Sequence, residues 1–436
     1  MSKKIQDNNR LYNLLCPLVK FATRCHYNEF VVRGTENLPT DGSYIIAPCH
    51  QQALMEPLAV LYFSPKPPVF LARADIFRKP TLRAILTFLR IMPVYRIRDG
   101  QDQLGRNQEV FDRCRDVLVD GYPLCLMAEG RHNNCHRLLP LRKGMFRIAG
   151  EAQMALGNRP LYIVPTGIDF DDYERPYSNV VVNIGKPIPV QPFMETYRNN
   201  EPVALNQMRD ALTEALLPLM HDIRDEEHYD EIMELCHRLN REMRQREGLK
   251  NNAWNRFLMR QKITSMLQDS ETSRLKDLKN SRPKVAEHWS IAGTLLALLV
   301  IAGLLATILL LPQARWALLF LIVCYPLPFI PTHLIVKKKV ADPQFRSSFN
   351  FGVRLAVSIL YAIAIVIVMA CGTGNWFLSH IAPLTGVSLH LTSLLTALLA
   401  MAWIHVAARL TAPVVNCLRN TLNSCRYWLL HLAGRQ

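Results

Sequence analysis

His50 follows a short apolar run that ends at Ala47, within the stretch APCHQQALMEPL, and Glu56 comes within two helical turns of it. Imidazole titrates near neutrality, so a histidine at a strand end can take a proton from a hydroxyl. A carboxylate bonded to its other nitrogen would fix the tautomer and stabilise the imidazolium. Such a pair is also common as a structural element, and alone it does not decide between the two.

Three further blocks carry residues suited to chemistry. In MPVYRIRDG, Met92 to Gly100, Arg96 and Arg98 follow a short apolar run. A guanidinium suits bidentate contact with phosphate, though the pair could equally be surface charge. In MAEGRH, Met127 to His132, a Glu129–Gly130 turn precedes basic residues, and Arg137, Arg142 and Lys143 extend the positive field. Gly130 suggests close backbone approach or a positive φ. Val164 to Ile168, VPTGI, reads by itself as a packing element. His132, Cys135 and His136 are close in sequence but lack a second ligand pair at structural-zinc spacing, so no metal site is assigned.

The elements that must position these residues form an alternating pattern. Tyr44 to Ala47, Val69 to Ala72, Leu124 to Met127, Tyr162 to Pro165 and Val180 to Ile184 read as buried strands. Thr81 to Leu89, Asn107 to Val119 and Gly144 to Leu156 read as helices. Strand–helix alternation implies an α/β domain with a largely parallel central sheet flanked by helices, with chemistry in the loops beyond the strands' carboxyl ends. Before it, residues 1–28 hold an amphipathic helix with Leu11, Leu14, Leu15, Leu18, Val19 and Ala22 at helical spacing; it packs on its own domain or lies on a membrane surface. Residues 192–288 read as a helical connector rich in charge, with no chemistry assigned to it.

The final region, 289–436, holds four apolar runs: Ile291 to Leu311, Trp316 to Val336, Leu355 to Cys371 and Val387 to Ala407. About 20 apolar residues cross a bilayer core, so the expectation is a C-terminal bundle of about four transmembrane helices. Lys337, Lys338, Lys339, Arg346 and Arg354 lie between the second and third runs, and Arg409, Arg419, Arg426 and Arg435 lie after the fourth. The positive-inside rule puts both segments, and with four crossings the N-terminal domain, on the cytoplasmic side. The expected location is therefore a multi-pass membrane protein, in the inner membrane if the source is bacterial.

Lysine and arginine number 51 against 36 acidic residues, a net charge of +15. Such an excess favours anionic partners. Zinc-finger spacing, RNP-type aromatic motifs and basic heptad helices are missing from the sequence, so nucleic acid is not expected and anionic lipid is. The 11 cysteines form no CxxC pair, and the odd count at scattered positions reads as reduced thiols facing a cytosol.

Taken in order, the four blocks resemble the glycerolipid acyltransferase family, which includes lysophosphatidic acid and glycerol-3-phosphate acyltransferases. The resemblance runs over roughly Val32 to Pro189: VRGTENLP leads in, His50 with Glu56 forms the His–acid block, MPVYR supplies Arg96, Glu129 and Gly130 form the Glu-Gly block, VPTGI is the fourth, and IGKPI closes the domain. The family's acid is usually Asp five positions after the histidine; here that position is Met55, and Glu56 follows it. The third block departs too, with Met127 and Ala128 where Phe-Pro is usual.

The resemblance implies an acyltransferase domain over 29–191 and direct transfer without a cofactor. His50 would deprotonate the acceptor hydroxyl, and Glu56 would hold the imidazolium. Arg96, Glu129, Gly130 and Arg131 would position a glycerol-phosphate acceptor. The donor would be acyl-CoA or an acyl carrier protein, and membrane lipids would be further partners. Cys49 beside His50 leaves an acyl-cysteine route as an alternative. The acceptor would be 1-acyl-glycerol-3-phosphate, giving phosphatidic acid, or glycerol-3-phosphate itself. A non-catalytic lipid-binding protein with this fold is a reading of another class.

Overall fold

Tyr44 to Ala47 is an unbroken apolar run, which suits a strand buried on both faces. In the computed structural model it becomes β2 (Ser43–Pro48), placed between β6 (Leu161–Phe170) and β5 (Leu124–Cys125). The structure describes residues 4–95, 106–131, 133, 135–173, 178–268, 336, 340, 345–353, 355–356 and 359–360. The remaining strands are β1 (Glu29–Arg33), β3 (Val69–Arg73), β4 (Ile91–Val94), β7 (Asn179–Ile184) and β8 (Ile188–Pro189). Their order is β1-β7-β6-β2-β5-β3-β4, with β8 also paired to β6. All pairings are parallel except those of β6 with β7 and β8. The expected mostly parallel sheet is present.

The helices are α1 (Arg10–His26), α2 (Met55–Phe63), α3 (Pro80–Phe88), α4 (Arg106–Val119), α5 (Gly144–Leu156), α6 (Met194–Asn199), α7 (Glu201–Leu216), α8 (Tyr229–Arg246) and α9 (Ala253–Gln268). The three helices expected between the strands, α3 to α5, start and end within one residue of their expected bounds. The strands differ more. β5 stops at Cys125, two residues early, because the chain turns toward Glu129; β6 runs on through VPTGI to Phe170 because β7 pairs along its second half. Gly167 in that half is required by contact: a Cβ there would lie 2.0 Å from the Leu219 carbonyl oxygen.

One core joins Ile45 and Ile163 of the sheet to Leu118, Phe146 and Leu212 from α4, α5 and α7. α7 therefore packs on the sheet. α8 and α9 pair around Ile232, Leu235, Met259 and Ile263.

α1 is capped by Asn9, whose side chain accepts from Leu11 N and Tyr12 N. It buries Tyr12, Cys16, Thr23 and His26, while Leu11, Leu14, Leu15, Leu18 and Phe21 are exposed. The apolar stripe faces outward; the sequence left both orientations open. Tyr12 meets Phe88 of α3 edge-on with ring centroids 6.0 Å apart, and α3 in turn exposes Leu82 and Ile85.

The described residues lie almost wholly in one unit, Met1–Lys279 with Pro343–Ser348; Asn280–Asp342 with Phe349–Gln436 forms a second. The four expected spans fall outside the described residues save at a few positions. Among the described residues no helix is long and apolar enough to cross a membrane.

Candidate active site

β2, β5, β3 and β4 run parallel, so their carboxyl ends share one edge of the sheet, and the loops beyond that edge carry His50 and Glu129. His50 leaves β2 two residues after Pro48, and the chain then turns into α2, whose first turn holds Glu56. The Glu56 side chain is wholly buried. Its Oε1 accepts from Gln51 N at 2.8 Å and Gln52 N at 2.5 Å, and its Oε2 lies 3.5 Å from His50 Nδ1. One carboxylate therefore folds the turn and faces the imidazole. The His50 side chain keeps 14% exposure, so the base and its acid are brought together with only the histidine reaching the surface.

The backbone of His50 is clamped from the other side. Its N–H donates to Glu129 Oε1 at 2.6 Å, and its carbonyl accepts from Asn133 N at 3.2 Å. Glu129 Oε2 accepts from Leu139 N at 3.0 Å. The Glu129 side chain is thus turned inward beneath the loop, with both oxygens taken by backbone N–H groups. Burial pushes its carboxyl up to about 8, against the two backbone hydrogen bonds, with the nearby Glu56 charge adding to the rise. Gly130 has φ +68°, a conformation that favours glycine, and its N–H closes a tight turn onto Met127 O at 3.0 Å. Arg131 follows and is exposed. Arg96 lies outside the described residues.

Cys49 is fully buried. Its Sγ donates to Ile168 O at 3.4 Å and accepts from Ile168 N at 3.1 Å. Burial holds the thiol well above its ordinary range, and the Glu129 charge adds to this. A thiol kept protonated and bonded into β6 is a poor nucleophile.

Of the further residues around the site the sequence had marked only His136, and with other partners. Tyr173 Oη donates to Gln51 Oε1 at 3.0 Å, and Gln52 Nε2 donates to the Tyr173 carbonyl at 3.0 Å. Behind them, His136, Asp169 and His221 bring donor atoms within 4.8 Å of one another, all buried. They are the described residues best arranged to hold a metal ion. Asp169, however, is already ion-paired with Arg260 of α9. Burial alone would raise the Asp169 carboxyl, but Arg260 and His136 outweigh it and hold it well below the usual carboxylate range.

Residues 29–169, the span that holds both His50 and Glu129, match the Acyltransferase family model. This chain carries an acyltransferase domain. The match agrees with the glycerolipid acyltransferase family to which the order of the blocks pointed. The chain is similar to the 1-acyl-sn-glycerol-3-phosphate acyltransferase LPAT1, chloroplastic, of Arabidopsis thaliana, at 24% identity over 189 residues, covering 42% of this chain and 48% of that protein. The chain thus matches about half the length of that curated relative. A solved structure, the 1-acyl-sn-glycerophosphate acyltransferase PlsC from Thermotoga maritima, aligns at 17% identity over 48% of this chain and 82% of its own, with a TM-score of 0.34.

Proposed function

We propose that this chain is a membrane-bound enzyme that transfers a fatty-acyl group from acyl-CoA or acyl carrier protein to the hydroxyl of 1-acyl-glycerol-3-phosphate, giving phosphatidic acid. The observation that carries the reading is the approach of Glu56 Oε2 to His50 Nδ1, at the carboxyl end of a parallel strand within the acyltransferase domain.

His50 takes the proton from the acceptor hydroxyl through its Nε2. The oxygen attacks the thioester carbonyl carbon, the C–S bond breaks, and the leaving thiolate takes the proton back from the imidazolium. Glu56 balances the transient charge on the ring. Arg96, Gly130 and Arg131 hold the glycerol phosphate, and Glu129 acts from below by fixing the His50 backbone. Orienting two bound substrates contributes roughly 7–11 kcal/mol to lowering the barrier, so few catalytic groups are needed.

Membrane residence is part of the proposal. The uncharged runs after Trp289 would span the bilayer with the acyltransferase domain on the cytoplasmic side, and residues 192–288 would belong with that domain. The exposed leucines of α1 and the apolar face of α3, flanked by Arg78, Lys79 and Arg83, suit contact with an anionic leaflet. Each basic residue near such a surface adds about 1 kcal/mol.

The test is acyl transfer by the purified chain and by His50→Ala, with labelled donor and each acceptor supplied separately. Product from 1-acyl-glycerol-3-phosphate, abolished in the variant, is the expected result. Product only from glycerol-3-phosphate would change the acceptor. Lipid binding without product from any pairing would favour a non-catalytic protein.

A further inference from the structure

A buried arginine in α9 sits far from the reacting groups in sequence but is tied to them by a short chain of contacts. Arg260, Asp169 and His136 are each at most 5% exposed. The Arg260 guanidinium pairs with Asp169 Oδ2, and Asp169 Oδ1 lies 3.2 Å from His136 Nδ1. The His136 ring also packs on Tyr173 and His221, with centroids 5.0 and 4.7 Å away.

The main chain around His136 is held as firmly as its ring. His136 N donates to Tyr229 Oη at 2.9 Å, and its carbonyl accepts from Ile223 N at 2.7 Å. Leu138 N donates to Asp222 Oδ1 at 2.9 Å. The next residue, Leu139, donates to Glu129, which holds His50. Residues 135–139 therefore form a strut between the helical segment and the proposed base. Arg131, which the proposed function places at the acceptor phosphate, lies on the loop between Glu129 and this strut, and Arg137 of the strut pairs with Glu226.

A cation bound by His136, Asp169 and His221 is the competing explanation. The Arg260 charge argues against it, because the guanidinium already neutralises the only carboxylate of the three. A divalent ion there would add like charge to a buried site. His221 Nε2 is already engaged at 2.7 Å with Thr264 Oγ1.

We infer that Arg260 is a positioning residue: through Asp169 and His136 it fixes the strut that sets the acceptor site beside His50. The inference rests on the proposed transfer reaction.

Removing one partner would strand a buried charge, so the test uses the neutral double variant Arg260→Met/Asp169→Asn in the full chain, with Arg260→Lys as the conservative control. In the double variant we expect faster amide exchange at Leu138 and Leu139, and an acceptor KM raised about tenfold or more with donor KM unchanged. Arg260→Lys should recover part of both effects. Unchanged exchange at these amides would overturn the inference, as would an unchanged acceptor KM in an active double variant. A stoichiometric transition metal in the purified chain, lost on His221→Ala, would also overturn it. If the unmodified chain transfers no acyl group to any acceptor, the reaction proposal fails instead, and amide exchange alone still decides whether the strut exists.

Discussion

Glu56 Oε2 faces His50 Nδ1 at 3.5 Å although the acid lies one position later than the family's usual spacing. The residue at the usual position, Met55, opens α2 and is buried in the core. The longer glutamate reaches back from the next position and also accepts the Gln51 and Gln52 amides. Glu56→Gln keeps an oxygen for those amides but removes the charge that balances the imidazolium. We expect kcat to fall by roughly 10²–10⁴ with the fold retained. Glu56→Asp should also lose rate, because the shorter side chain cannot serve both the turn and the ring. Wild-type kinetics for Glu56→Asp would show that reach is not what matters here.

The His50–Glu56 pair was legible because both residues sit on one local turn, and α3 to α5 were legible because amphipathic periodicity marks a helix directly. Glu129 was legible as a position but not as an orientation. A Glu-Gly turn reads the same whether its carboxylate meets a ligand or its own backbone, and only the fold turns it under His50. The Arg260–Asp169–His136 chain joins residues from α9, β6 and a loop, and no local pattern announces such a meeting. The outward stripe of α1 was undecided for a related reason: helical spacing gives a face but not what it faces.

The inward place of Glu129 gives a pH signature. Its folded value of about 8 stands above its ordinary value of 4.5. Between the two, the folded chain holds a proton that the unfolded chain has released, so stability falls as pH rises through this window. Glu129→Gln does not titrate, and it leaves one backbone N–H without its carboxylate acceptor, costing about 1–3 kcal/mol. The wild type should therefore be the more stable protein at pH 5, and its advantage should shrink toward pH 8. Unfolding measured across that range decides the point; a constant gap would mean that Glu129 does not titrate there.

Cys49 makes the direct and covalent routes separable. With its thiol protonated and bonded to Ile168, Cys49→Ala should keep kcat within about threefold while lowering stability by about 1 kcal/mol, as for other small losses of buried volume. Loss of turnover in a folded Cys49→Ala protein, or acyl label retained on the denatured wild type and missing from the variant, would establish the acyl-cysteine route.

The two kinds of apolar surface predict different attachments to the membrane. The first run after Trp289, Ile291 to Leu311, has the length a proposed span needs, and spanning helices resist alkaline carbonate extraction. The stripe on α1, with Leu14 73% and Phe21 64% exposed, is suited to lie in the interface and to be stripped by carbonate. The full chain should therefore stay in the carbonate-washed pellet, and a chain ending at His288 should be released. At neutral pH the shortened chain should still sediment with vesicles rich in anionic lipid, and Leu14→Glu with Phe21→Glu should weaken that binding by at least tenfold, since each buried side chain contributes about 1.5–3 kcal/mol. Release of the full chain by carbonate would remove the spans from the proposal. Binding of the shortened chain that ignores both substitutions would remove α1 from it.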